Sequence, residues 1–290
     1  MAQLAQSSRA PHLSASRVWL TDSNLVRKVR RSVIRYCDLL KCRSAAVAGY
    51  LEPRMAIIAV AWAIVFALGC LPRLIFPATP ISGGIQLLAL LLPYALIGSA
   101  PVAGYLVAAR SFPHGILTAQ PQIRLSFYGR WRSLGVLEAR RNPNFGPAGF
   151  IASLLIGLLL NVVVRSFEFL LAMPAMGGNA PLWGNRLFML MSCDVIVMGF
   201  FYMVCFVMAL RAVPLFPRML IFAWVTDIMI QLVVARTIMA TPGGPDSVAI
   251  PLHALLKGNI SKVLISAFVW LPYLILSERV NVTYRSRFSG

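Results

Sequence analysis

Six apolar stretches, each about the 20 residues that a hydrocarbon core roughly 30 Å thick requires of a helix, run through this chain. They fall at 55–76, 85–109, 149–173, 187–210, 219–240 and 260–276. Inside lipid every backbone polar group needs an internal partner, so such stretches are confined to helices. Hydrophobic residues make up 59% of the 290 residues and charged ones 12%, more apolar side chain than a soluble core of this size can hide. The expected fold is therefore an all-α integral membrane protein, a bundle of about six transmembrane helices. Pro93 and Pro101 in the second stretch and Pro272 in the sixth are tolerated where neighbouring groups take up the freed carbonyls.

The net charge of +18 would point to nucleic acid in a soluble protein. Its distribution here points to orientation instead. The leader up to Arg54 holds ten Lys and Arg, the segment 110–148 six, the gap after the fourth stretch Arg211 and Arg218, and the tail Arg279, Arg285 and Arg287. The alternate gaps and their edges hold Arg73, Arg186, Lys257 and Lys262. Basic loops stay in the cytoplasm, so both termini are expected there, and an even number of spans agrees. Phe127, Tyr128 and Trp131 alternate with Arg124, Arg130 and Arg132; beside a membrane such a patch is expected to lie on headgroups rather than on nucleic acid.

The start of the chain lacks the apolar core of a cleavable signal. Between residues 23 and 41, Val26, Val29, Val33, Tyr36, Cys37 and Leu40 recur every three or four positions among Arg27, Lys28, Arg30, Arg31 and Arg35. That spacing predicts an amphipathic helix on an anionic leaflet, capped by Asp22 or Ser23; the alternative is a solvated basic leader. Cys70, Cys193 and Cys205 fall inside spans as small apolar residues, and Cys37 and Cys42 lack further zinc ligands. The methionines of the fourth stretch read as gap-filling side chains. No nucleophile–base pair, phosphate loop or metal motif stands out, so no catalytic residue, metal or cofactor is expected.

Polar residues within the spans are costly and mark either function or interhelical contact. Asp194 and Asp227 lie near the middle of the fourth and fifth stretches. Asn161, Arg165 and Glu168 share one face of the third, and Asp227 and Gln231 share a face of the fifth. Two readings stay open. The cluster is interhelical glue, with Arg165 paired to Glu168 or Asp194 and a protonated Asp227 bonded to Gln231 or a neighbouring span, or it is a proton or solute path.

The segment 269–288 reads VWLPYLILSERVNVTYRSRF. Trp270, Tyr273 and Ser277 share a helix face, Pro272 frees the carbonyl of Phe268, and Arg279, Thr283 and Tyr284 are expected at the headgroup level. Trp270, Pro272, Tyr273, Ser277, Arg279, Val280 and Thr283 match a closing motif of the form Trp-x-Pro-Tyr, a spaced Ser, then Ser-x-Arg-Val-x-x-Thr-Phe, with Tyr284 in place of the Phe. In this the chain resembles an uncharacterised family of bacterial multi-pass membrane proteins with four helices. The resemblance implies a bacterial inner-membrane location and a homologous region over about 146–288, and it implies no activity.

The expected organisation is a basic cytoplasmic leader (1–54), a two-helix extension (55–109), a basic cytoplasmic linker (110–148) and a four-helix membrane domain with a basic tail (149–290). The expected function is a non-enzymatic envelope accessory or interaction protein. The alternative is a small solute or proton-coupled transporter using Asp194 and Asp227. Membrane lipids, with anionic headgroups at the cytoplasmic face, and other membrane proteins are the expected partners.

Overall fold

A short turn of 3-10 helix at Glu52–Arg54, with Pro53 in its first positions, leads into α1 (Met55–Ile75). There follow α2 (Gly84–Ser111), α3 (Val136–Arg141), α4 (Phe150–Ala172), α5 (Leu182–Leu210), α6 (Phe216–Met239), α7 (Asp246–Leu276) and α8 (Glu278–Arg285). Two three-residue strands, β1 (Trp131–Ser133) and β2 (Arg287–Ser289), complete the described elements. This computed structural model describes residues 49–81, 83–115, 120–121, 129–176, 180–242 and 245–289, without the side chains of 246 and 247. The predicted surface helix at 23–41, Cys37 and Cys42, and Arg124, Phe127 and Tyr128 of the aromatic–arginine patch lie outside the described residues.

The described chain is mostly helical, and six helices are long and apolar enough to cross a membrane: α1 with the turn before it, α2, α4, α5, α6 and α7. This is the pattern of a multi-pass membrane protein. Eight boundaries shift by one to five residues from the sequence reading, and one shifts more. The last long helix begins at Asp246 rather than near residue 260. Lys257, Asn259 and Lys262 lower the hydropathy there without interrupting the backbone hydrogen bonds, and the helix starts only where Pro245 precedes it in an extended conformation.

The centre of the bundle is α5, of whose most apolar window 72% is buried, against 11% for α7. It packs against α2, α4 and α6; α7 lies on α6, and α1 on α2 and α4. Gly104 permits the closest of these approaches, because a Cβ there would stand 2.6 Å from the Phe200 carbonyl oxygen of α5. The two helices read as an extension are thus packed into the same bundle, with no gap near residue 148. Further ties join α1 to its neighbours. Trp62 Nε1 donates to the Gly98 carbonyl at 2.9 Å, and Arg73 caps α4 by donating from Nε to Leu170 and from Nη2 to Leu171, both at 2.6 Å. The faces of α1 and α7 turned away from the bundle carry Ile57, Val60, Leu68, Ile265 and Phe268 in the open.

The linker and the tail, read as separate basic segments, are paired. β1 and β2 form an antiparallel ribbon in which Trp131, Arg132 and Ser133 oppose Ser289, Phe288 and Arg287. Leu134 N–H extends it by donating to the Ser286 carbonyl at 2.8 Å. Trp131 and Arg132, expected on headgroups, are therefore ribbon residues.

The tail differs most from expectation. Leu276 ends α7 four residues after Pro272, extended Ser277 turns the chain, and α8 folds back into the end of the bundle. Val280, Asn281, Val282, Thr283, Tyr284 and Arg285 are all buried, so Thr283 and Tyr284 do not sit at an exposed interface. Tyr284 donates to the Ala209 carbonyl of α5 at 2.9 Å and lies 5.0 Å, centroid to centroid, from the ring of Phe216. Arg285 Nη1 donates to the Leu274 carbonyl at 2.8 Å and to Asn281 Oδ1 at 2.9 Å. Asn281 Nδ2 in turn donates to the carbonyls of Ile275 and Ser277, both at 3.0 Å. These bonds satisfy the carbonyls that the end of α7 leaves open.

Candidate functional site: a buried guanidinium between two carboxylates

Arg165 reaches from the middle of α4 to carboxylates on two other helices. Its Nη1 donates to Asp227 Oδ2 on α6 at 2.7 Å, and its Nη2 to Asp227 Oδ1 at 2.8 Å. The same Nη2 donates to Asp194 Oδ1 and Oδ2 on α5, at 2.7 and 2.8 Å. Tyr202, two turns beyond Asp194 on α5, donates its hydroxyl to Asp227 Oδ2 at 2.7 Å. Gln231, one turn beyond Asp227 on α6, donates Nε2 to Asp194 Oδ1 at 3.0 Å. A longer contact of 3.5 Å from Asn259 Nδ2 to Gln231 Oε1 brings in α7. Every one of the four carboxylate oxygens thus accepts at least one hydrogen bond.

Asp194, Asp227, Tyr202 and Gln231 are fully buried, and Arg165 is nearly so. Exposure of an ion pair to water normally weakens it to a fraction of a kcal/mol; burial removes that screening and raises the cost of leaving either partner alone. The cavity beside Arg165, Asp194 and Asn259 holds about 10 Å³, room for roughly one water. A second, more open cavity of about 390 Å³ between α5 and α6 also has Asp194 in its lining. The cluster can fasten α4, α5 and α6 together, or exchange a proton, and its charges are two carboxylates against one guanidinium.

The remaining predicted residues lie apart from it. Glu168 accepts from Lys262 Nζ of α7 at 2.5 Å, a half-exposed pair one turn along α4 from Arg165, and does not touch Arg165. Asn161 Oδ1 is buried without a partner. Asp227 is bonded to Arg165 and Tyr202 and not to Gln231, so an Asp227–Gln231 pair is replaced by crossed contacts in which Gln231 serves Asp194. Tyr202, Asn259 and Lys262 were missed as members of this region. A periodic signal existed for Tyr202, which follows Asp194 by eight residues and so shares its face. Asn259 stood outside the expected sixth span.

Comparison with protein-family models, with curated proteins and with solved structures gives no match. The closing motif is therefore described by its own contacts. Trp270 meets Tyr273 edge-on at 6.0 Å, and Tyr273 meets Phe150 of α4 at 5.8 Å. Ser277 makes the turn, Arg279 lies beside Gly149, Val280 is buried, and Thr283 Oγ1 accepts from Gly146 N–H at 3.1 Å. The motif folds the tail against the start of α4 and the α5–α6 connection. It brings together none of the cluster residues. Among the described residues no group of His, Cys, Asp and Glu is placed to hold a metal ion.

Proposed function

We propose that this chain is a non-enzymatic multi-pass protein of the bacterial inner membrane, both termini cytoplasmic, which serves as an accessory or interaction protein of the envelope. Its buried cluster acts as a bolt. The observation that carries this reading is the saturation of the site: all four carboxylate oxygens accept hydrogen bonds from side chains of α4, α5 and α6. A transport path needs a route for its cargo, and broken helices in repeat-related positions are its usual sign. Here α4, α5 and α6 run unbroken through the cluster. The bacterial location rests on the tail's resemblance, and the orientation on the Lys and Arg alternation. Membrane lipids and other membrane proteins are the partners this reading assigns.

Reporter fusions after residues 20, 133 and 288 are expected to report cytoplasm, and fusions near 82, 178 and 247 the opposite side. A periplasmic signal from the fusion after 133 would break the six-span arrangement.

A small proton-coupled carrier is the second reading, favoured by the unequal charge of two carboxylates and one guanidinium. Asp227→Asn separates the two. Asp194 still neutralises Arg165, and the Asn carbonyl still accepts from Tyr202, so the variant is expected to fold. With the protein in liposomes containing a pH-sensitive dye, parent and Asp227→Asn are expected to give the same proton flux as empty vesicles. A flux in the parent that vanishes in a folded Asp227→Asn protein would make the carrier the better reading.

A further inference from the structure

The end of the bundle that holds α8 contains a pocket of about 370 Å³, within the size range of small-ligand sites. Three independent features converge on it. Its basic lining is Arg140, Arg211 and His114, with Gln120, Thr283 and Ser286 between them and no carboxylate among the described residues. The nearby Glu52 is already taken, accepting from Arg211 Nε at 3.2 Å and lying 2.8 Å from His114 Nδ1. Second, one half of the Gln120 amide donates to Ser286 Oγ at 3.1 Å, while its Oε1 is buried with no partner. Such an acceptor is costly until a donor reaches it. Third, Ala212 and Ser286 are the non-glycine residues with positive φ among those described, at 53° and 47°, and both line this pocket. They close α5 and α8, where glycine would adopt the same conformation without the steric penalty. Backbone strain of this kind gathers where a site must be held in a fixed shape.

We infer that this pocket binds a small phosphate ester carrying a free hydroxyl, its phosphate set among Arg140, Arg211 and His114 and its hydroxyl donating to Gln120 Oε1. Guanidinium groups match phosphate oxygens in charge and in donor geometry. Arg211 is fixed in advance, because its Nη1 donates to the carbonyls of Ala109 and Phe112 at 2.8 and 2.7 Å. It presents charge without having to be ordered by the ligand. The chemistry suits a soluble polyol phosphate or the glycerol phosphate headgroup of a lipid. The site goes beyond the accessory reading, and its soluble-ligand arm does not depend on the orientation of the helices.

The test uses the full chain purified in an uncharged detergent. Titration calorimetry with glycerol 3-phosphate is expected to show saturable binding, with inorganic phosphate weaker because it cannot reach Gln120 in the same pose. Arg140→Gln is expected to weaken binding at least about tenfold, the loss of one charge-assisted contact. Gln120→Leu should erase the advantage of glycerol 3-phosphate over phosphate. Arg110→Gln removes an exposed charge outside the lining and should change neither. In the lipid arm, native mass spectrometry after exchange into phosphatidylglycerol or phosphatidylcholine nanodiscs counts the lipids retained. Retention of phosphatidylglycerol that is lost in Arg140→Gln identifies the headgroup as the source. Absence of binding in both arms, or equal weakening by Arg110→Gln and Arg140→Gln, overturns the inference.

Discussion

Arg165→Gln is expected to be the most damaging single change, with a clear drop in thermal midpoint and in the yield of folded protein. The substitution removes the one cation from between Asp194 and Asp227 and leaves two fully buried carboxylates facing each other. Breaking a buried ion pair from one side costs about 3–5 kcal/mol, whereas ordinary polar contacts between membrane helices are worth about 0.6 kcal/mol on average. The larger figure is a substantial part of a typical stability of about 5–15 kcal/mol. The argument concerns charge rather than shape, so it predicts a rescue. Arg165→Gln combined with Asp194→Asn and Asp227→Asn should recover stability, since no uncompensated charge remains and amides can bond to one another. The measurement is the fraction of monodisperse protein after extraction, with its thermal midpoint in detergent. An Arg165→Gln protein as stable as the parent would remove the bolt from the account, and so would a triple variant no better than the single one.

Tyr284→Ala is expected to be the second most damaging single change. The side chain is completely buried, packs with its ring tilted against that of Phe216 and donates to the Ala209 carbonyl. Truncating a buried aromatic costs about 3–5 kcal/mol, because the cavity left behind refills only in part. Tyr284→Phe loses only the hydrogen bond and should cost about 0.5–1.5 kcal/mol. The ordering of the two variants by chemical or thermal unfolding is the check. Equal loss from both would place the effect in the hydroxyl, and no loss from either would mean that α8 is not held as described.

The six long helices were legible because apolar length is a direct physical demand of lipid, and their order needed no alignment. Arg165, Asp194, Asp227 and Gln231 stood out for the same reason: a polar group in an apolar run carries a cost that something must offset. The partners were less legible. Helical spacing places residues on faces, yet it does not fix how far each helix is rotated toward its neighbours. Spacing alone therefore pairs Arg165 with Glu168 or Asp194, and the bridge to Asp227 follows from the packing of α5 against both α4 and α6. Tyr202 was passed over because a tyrosine is compatible with either core or interface. The tail misled for a different reason. Aromatic and basic residues after a last span usually anchor at headgroups, and nothing local in Val280, Thr283 and Tyr284 distinguishes an anchor from a helix folded inward. That difference is tertiary: it depends on Gly146, Ala209 and Phe216, far away in the chain.

The inward fold of α8 also sets an order of events during biosynthesis. This helix leaves the ribosome after all six long helices, so the end of the bundle that it fills stands open while they pack together. Until α8 arrives, the carbonyls of Ala209 and Leu274 lack the partners that Tyr284 and Arg285 supply, and Phe216 lacks its ring contact. The interior of the bundle is therefore completed by the last helix to be made, a short one outside the six long helices. A nascent chain stalled before α8 would carry all six long helices and still have an unfinished core.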